Sequence, residues 1–233
     1  MKCLKPLSIV LIESSIELVP KSIWSHPAIL NAARRRRRRP GDMLLDKSVH
    51  YHAMKGLMNF EKRGRPDIVH ISLLNALGSP LNKRGLLRLY VHTVNELVIF
   101  IDPRTRIPRN YNRFTGLFEQ LLKYGKVPPG ASEPLLYVKE MNLRSLLTEI
   151  GSRCLILLSE EGVKASPDRV IEEACSTECA IGIGCFPHGS FSETTYSLAK
   201  AIYSIYPEIL EAWIVVSRII EACERLYGMY SEV

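Results

Sequence analysis

No run in this 233-residue chain reaches the eighteen or so consecutive apolar positions of a membrane-crossing helix, so no bilayer-spanning segment is expected. The Lys-flanked apolar run at residues 1–12 is short. It leads into Glu13, Ser14 and Ser15 with no small-residue cleavage pattern, and so reads as a buried strand, not a signal peptide. A cytoplasmic protein is expected. Six cysteines are present but no C-x-x-C pair, which argues against a structural zinc site built from two close ligand pairs; no metal is expected. The cluster Cys175, Cys179 and Cys185 reads as small apolar residues near a strand, with disulfide pairing left open.

Two nucleotide-binding signatures are also missing. After Gly182 and Gly184, a dinucleotide fingerprint would need a third glycine at 187, where Pro187 stands. The Gly184–Gly189 spacing is followed by Ser190 and Phe191, not by the Lys and Ser or Thr of a phosphate-binding P-loop. What remains is a glycine loop behind an apolar strand, open enough for a small ligand to lie against backbone. His188 within it reads as a structural or polar-contact residue, not a catalytic base. The segments 157–162 and 203–208 are candidates to complete the same crevice.

The charge is unevenly spread. Residues 1–126 carry 23 Lys or Arg against 9 Asp or Glu, +14, whereas residues 127–233 carry 8 against 15, −7. A basic half of that density attracts phosphates and gains counterion release on binding them, so nucleic acid is the leading partner and an anionic membrane surface the second. The six arginines at 34–39 repel one another and predict a solvated, mobile loop that phosphates neutralise.

Short apolar runs alternate with helix-period segments, the pattern of an α/β fold. Strands are expected at 8–12, 86–93, 97–101, 135–138, 154–158 and 180–183. Helices are expected at 49–61, 67–77, 111–123, 143–150, 168–175 and 208–227. The second half reads as a parallel sheet, residues 86–101 as an inserted hairpin, and the Pro- and Gly-rich stretch 125–134 as a linker. Asn142, Ser166 and the Pro66-Asp67 pair are favourable helix starts.

Two motifs sharpen the nucleic-acid reading. In RGRPDIVH, Asp67 stands two residues from Arg65 and can hold its planar guanidinium for gripping a phosphate or a base edge; an ordinary capping ion pair is the alternative. In RTRIPRNYNRF, Arg106, Arg109 and Arg113 interleave with Tyr111 and Phe114, a combination suited to unpaired RNA, although Phe114 itself should be core.

The succession RPDIVHISLLNALGSPLNKRG, RIPRNYNRFTGL, GCFPHG and SIYPE closely resembles the Nep/Emg family of ribosome-biogenesis pseudouridine methyltransferases, along nearly the whole chain. The resemblance implies a SPOUT-type α/β fold: a parallel sheet flanked by helices, with a C-terminal deep trefoil knot and a β-hairpin/helix extension. It implies a single domain over 1–233, with a basic insertion at about 20–62, an RNA-binding extension at about 86–124 and a knotted cofactor-binding part at about 135–233. It also implies a homodimer that binds S-adenosylmethionine through Leu158, Gly184, Gly189, Tyr203, Ser204, Ile205, Tyr206, Pro207 and Glu208. The implied substrate is a pseudouridine in small-subunit ribosomal RNA, methylated at the ring N1 that its C-glycosidic bond leaves free. Arg65, Arg106, Arg109 and Arg113 are the implied RNA contacts, with Arg65 the favoured catalytic residue and Asp67 orienting it. Asp67 as general base competes with that role, but a carboxylate held by a guanidinium makes a poor base. The rival functions are a non-catalytic ribosomal-RNA assembly factor and a ribose methyltransferase.

Overall fold

The computed structural model describes residues 5–230. Strand β1 (Leu7–Ser14) is buried along nearly its whole length, with Ile9 and Leu11 on one face and Val10 and Ile12 on the other. A strand apolar on both sides must be covered on both sides. Accordingly it lies inside an eight-stranded sheet with strands β2 (Leu87–Thr93), β3 (Leu97–Ile101), β4 (Lys126–Val127), β5 (Leu136–Glu140), β6 (Leu155–Lys164), β7 (Ala180–Gly184) and β8 (Ala199–Ser204), in the order β4-β5-β3-β2-β1-β7-β6-β8. Strands β2, β1, β7, β6 and β8 run parallel, and β3, β5 and β4 add antiparallel pairings.

The α/β expectation therefore holds, with corrections. The sheet is mixed and not wholly parallel, because β5 pairs antiparallel with β3. The 86–101 hairpin forms, but β2 also pairs in parallel with β1, so the hairpin belongs to the main sheet. The 125–134 stretch contributes β4 and does not act as a free linker.

The helices are α1 (Pro27–Arg36), α2 (Lys47–Met54), α3 (Pro66–Gly78), α4 (Pro80–Lys83), α5 (Tyr111–Tyr124), α6 (Leu143–Glu149), α7 (Pro167–Thr177), α8 (Glu193–Leu198) and α9 (Ala212–Leu226). Asn142 and Ser166 cap α6 and α7 through their side chains, and α3 opens on Pro66. One face of the sheet packs Val69 and Leu73 of α3, Phe114 and Phe118 of α5 and Ile219 of α9 into the larger core. The other packs Leu146 and Leu147 of α6. A third, small core of Val19, Ile29, Met43, Leu45 and Met54 holds the segment between β1 and α3.

That small core overturns two expectations. Burial of Ile29, Ala32 and Ala33 forms α1, so Arg34, Arg35 and Arg36 are its last turn, where cations favour the helix dipole. Arg37 closes the helix in the left-handed region at φ 51°, so the arginine run is half helical and not a loop. The helix expected at 49–61 stops at Met54, and residues 60–62 form a single 3-10 turn after Asn59 at φ 54°. The last helix starts at Ala212, four residues later than expected, and strand β8 was not anticipated at all.

Cys154 and Cys179 form a disulfide, with Cα atoms 4.5 Å apart. The reason is register: Leu155 pairs with Ala180 across β6 and β7, so the residues just before them lie side by side. Cys185 and Cys223 are buried thiols and Cys175 is exposed, while Cys3 lies outside the described residues.

Candidate functional site

The carboxyl end of β1 is acidic and nearly closed to solvent. Glu13, in the left-handed region at φ 49°, accepts a hydrogen bond from Lys62 Nζ at 2.6 Å. Glu17 accepts from Arg63 Nε at 2.6 Å and Nη2 at 2.5 Å, and Ser15 Oγ accepts from the Arg65 backbone N–H at 2.7 Å. Three alternate residues at and just past the end of β1 thus fix residues 62–65 at the mouth of α3. There Arg65 donates from Nε and Nη2 to the two carboxylate oxygens of Asp67, at 2.8 and 2.7 Å. A fork-on-fork pair of this kind sets the guanidinium plane. The Asp67 hydrogen bond raises the Arg65 pKa above its ordinary value, so the group stays cationic. Two of its five N–H donors are used among the described residues, and three remain for a ligand.

The second motif is brought to the first by His70. Its Nε2–H donates to the Pro108 carbonyl at 2.7 Å, and its ring stacks on Phe114 at 4.3 Å between centroids. Asn110 caps α5 by accepting from the Arg113 N–H, so Arg109 and Arg113 flank a helix start, with Arg106 in the loop before it. All three arginines are exposed and lack an ion-pair partner among the described residues. Phe114 is fully buried, as expected, while the Tyr111 hydroxyl donates to Asp46 at 2.6 Å. Burial, reinforced by that bond, drives the Tyr111 pKa well above its usual value. In the arginine run, Arg36 pairs with the buried Glu119 at 2.7 Å, and the other five guanidinium groups face solvent.

The carboxyl ends of β6, β7 and β8 lie together, where parallel α/β sheets place ligands. Two adjoining cavities, of about 70 and 380 Å³, open there and share Leu158, Ser159, Glu160 and Leu210. The smaller is walled by Tyr203, Ser204, Ile205, Tyr206 and Glu208, and the larger by Gly184 and Gly189. Eight of the nine residues expected at a cofactor site therefore line one cleft. Pro207 does not; it lines an adjoining depression beside Lys164 and Ser166 that shares Ser204, Ile205 and Tyr206 with the smaller cavity. A Cβ on Gly184 would come within 2.9 Å of the Phe191 ring, and Gly189 has φ 95°, so glycine is what this wall admits. His188 lines the larger cavity.

Residues not singled out in the sequence complete the arrangement. Ile68, one residue past Asp67, lines the larger cavity, so the start of α3 forms part of the cleft wall. Glu211 lies in the same cavity and acts electrostatically on Arg65. Ser15, Glu13 and Glu17 were also missed. Carboxylates just past a central strand, in an otherwise basic half, were the available signal. No metal-binding group of three His, Cys, Asp or Glu occurs among the described residues.

Residues 9–224 match the family model described as EMG1/NEP1 methyltransferase. The chain belongs to the EMG1/NEP1 methyltransferase family. It is 56% identical over 225 residues to the ribosomal RNA small subunit methyltransferase Nep1 of Staphylothermus marinus, covering 97% of this chain and 98% of that one. The protein of the same name from Saccharolobus solfataricus is 47% identical, with coverage of 95% and 98%. Among solved structures, that of Archaeoglobus fulgidus Nep1 bound to S-adenosylhomocysteine superposes with a TM-score of 0.85 at 37% identity, over 96% of this chain and 99% of that one. These family members match the chain across both the arginine cluster and the cleft.

Proposed function

We propose that this protein is an S-adenosylmethionine-dependent methyltransferase of small-subunit ribosomal RNA, acting in the cytoplasm on N1 of a pseudouridine. The carrying observation is the shared wall: the helix start that bears Arg65 and Asp67 continues through Ile68 into the cleft. A base held by the arginines is thereby presented to the cleft's contents. Family membership and the S-adenosylhomocysteine complex of the Archaeoglobus relative support the cofactor.

The cleft suits that cofactor chemically. Its glycines leave backbone open at Gly184 and Gly189, Leu158 and Ile205 offer apolar contact to a planar base, and Glu208 and Ser204 offer acceptors for hydroxyl or ammonium groups. When bound, S-adenosylmethionine supplies an electrophilic methyl group on a sulfonium. The chain's own work is positioning and charge. Arg106, Arg109 and Arg113 take phosphates, and Arg65, locked by Asp67, offers N–H groups to the displaced base. A fixed cation there stabilises the anion left when the N1 proton passes to solvent water, and the freed lone pair would take the methyl as the sulfonium S–C bond breaks, with S-adenosylhomocysteine as the leaving group. Uridine carries its glycosidic bond at that nitrogen and has no such proton.

The exposed apolar side chains Val163, Tyr206, Ile209 and Ile214, around the cleft and the start of α9, support a homodimer built on this end. Family membership is what supports a threaded C-terminal part at about 135–233. The separate small core fits a basic insertion at about 20–62, whereas the hairpin and α5 share the main sheet and its core, so the RNA-binding part at about 86–124 is a surface of the main body.

The decisive assay pairs a pseudouridine oligonucleotide with its uridine twin and follows transfer of labelled methyl. Transfer to pseudouridine alone is expected. Transfer to both would indicate ribose methylation, and transfer to neither an RNA-binding assembly factor.

A further inference from the structure

Helix α2 carries a stripe that neither the fold nor the arginine cluster uses. Lys47, Tyr51 and Lys55 follow one another at i, i+4 spacing, which aligns side chains on one helical face. Tyr51 is 44% exposed, although its ring is large and apolar. It is held edge-on by Phe60, with centroids 5.8 Å apart at 65°, so its orientation is set by packing. Lys55 Nζ lies 5.5 Å from the Tyr51 centroid, and Lys47 Nζ lies 4.5 Å from that of Phe60.

The stripe borders the arginine cluster directly. Asp46 caps α2 through Ser48 and also accepts the Tyr111 hydroxyl at the start of α5, and the Lys47 N–H donates to the Gly64 carbonyl at 2.7 Å. The amino end of α2 is therefore pinned between Arg65 and the Arg109–Arg113 turn.

We infer that Tyr51 is a stacking platform for an unpaired base of the RNA, a neighbour of the nucleotide gripped by the arginines, with Lys47 and Lys55 taking the phosphates on either side. This rests on the reading that RNA is the substrate. An exposed aromatic ring braced by a second ring and flanked by ammonium groups is what single-stranded nucleic acid binds without regard to sequence. A stacked base is worth more than an exposed cation–π contact, so the base displaces Lys55 from the ring and frees the ammonium for phosphate. Protein partners are disfavoured by the net positive charge around the patch, which suits a polyanion.

The test uses the full-length protein and a pseudouridine-containing RNA hairpin with 2-aminopurine placed singly at each loop position beside the target. With wild-type protein, one position is expected to show quenching on binding. Tyr51→Ala should abolish that quenching and weaken binding about 5- to 100-fold. Tyr51→Trp should restore both, and the salt dependence should be unchanged. Lys47→Gln with Lys55→Gln should instead flatten the salt slope by about two phosphate contacts. S-adenosylhomocysteine binding reports that each variant is folded. Wild-type affinity and quenching in Tyr51→Ala would overturn the platform, as would an equal loss of affinity for fully duplex RNA. If Arg109→Ala weakens binding while Tyr51→Ala does not, the arginine reading survives and the platform falls. If the wild-type protein does not bind the hairpin, both fall.

Discussion

His70 joins the two arginine-bearing segments: its Nε2–H donates to the Pro108 carbonyl at 2.7 Å while its ring lies against Phe114. His70→Leu keeps the volume and removes the donor, leaving a part-buried carbonyl unpaired at a cost of about 1–3 kcal/mol. The loop holding Arg106 and Arg109 should loosen, weakening RNA binding by about tenfold, equivalent to roughly 1.4 kcal/mol. Calorimetry with S-adenosylhomocysteine should show an unchanged cleft. Lowered stability with undiminished RNA affinity would mean that the loop's position does not depend on this bond.

Asp67 is best placed to orient Arg65, since both its oxygens are occupied by the guanidinium. Asp67→Asn retains one acceptor and loses the charge-assisted fork, so methyl transfer should fall by about 10- to 100-fold, a few kcal/mol of positioning. The shape of the pH–rate profile should be preserved. Disappearance of the limb that rises with pH would instead assign the proton to Asp67.

The parts of this architecture legible in the sequence were those carried by local pattern. The apolar runs mark six of the eight strands to within a few residues, and β4 and β8 are the exceptions: β4 is two residues long, and β8 is only half buried, so its alternation is weak. The RPDIVH and RIPRNYNRF motifs located the arginines, yet only tertiary structure shows that His70 bridges them. Long-range register was invisible, and with it the Cys154–Cys179 pairing, since adjacency across β6 and β7 is no property of either segment alone. The arginine run reads as a loop on charge alone, and what makes its first half helical is the burial of Ile29, Ala32 and Ala33 earlier in the same helix.

Glu13 supplies a pH signature. Burial alone would raise its pKa, but hydrogen bonds from Lys62, the Ser192 N–H and Thr195 outweigh that and leave it lowered. A depressed carboxylate stabilises the fold fully above its unfolded value of about 4.3, and the stabilisation is lost as pH falls through the folded value. Glu13→Gln should be less stable than wild type at neutral pH, and the two denaturation curves should converge below about pH 4. Stability profiles that stay parallel from pH 7 to pH 3 would remove Glu13 from the acid response.

The disulfide closes a loop of 25 residues' separation, for which the chain-entropy model predicts about 3–4 kcal/mol. Cys154→Ala with Cys179→Ala should lower the melting temperature by roughly 10 °C for a chain of this length. Thiol titration of the denatured wild-type protein should gain two thiols on reduction. No gain would show that the pair is not bonded.

Gly162 marks the tightest chain crossing in the cofactor half. A Cβ there would lie 2.6 Å from the Tyr203 backbone N and C and 2.7 Å from the Ile202 carbonyl carbon, all main-chain atoms that no rotamer change can move. The β6–β8 register also shifts at this point: Tyr203 pairs with Leu158 and again with Val163, so the 158–163 segment folds around it. Because Leu158 and Tyr203 both line the cleft, strain at Gly162 is transmitted to the ligand site rather than absorbed by a surface loop. Gly162→Ala should cost about 1–3 kcal/mol or more as overpacking, and should weaken S-adenosylhomocysteine binding while leaving the arginine cluster's affinity for RNA intact. Titration of both ligands separates the effects. Equal losses for both would point to general unfolding, and an unchanged cleft would show that β8 can shift to make room.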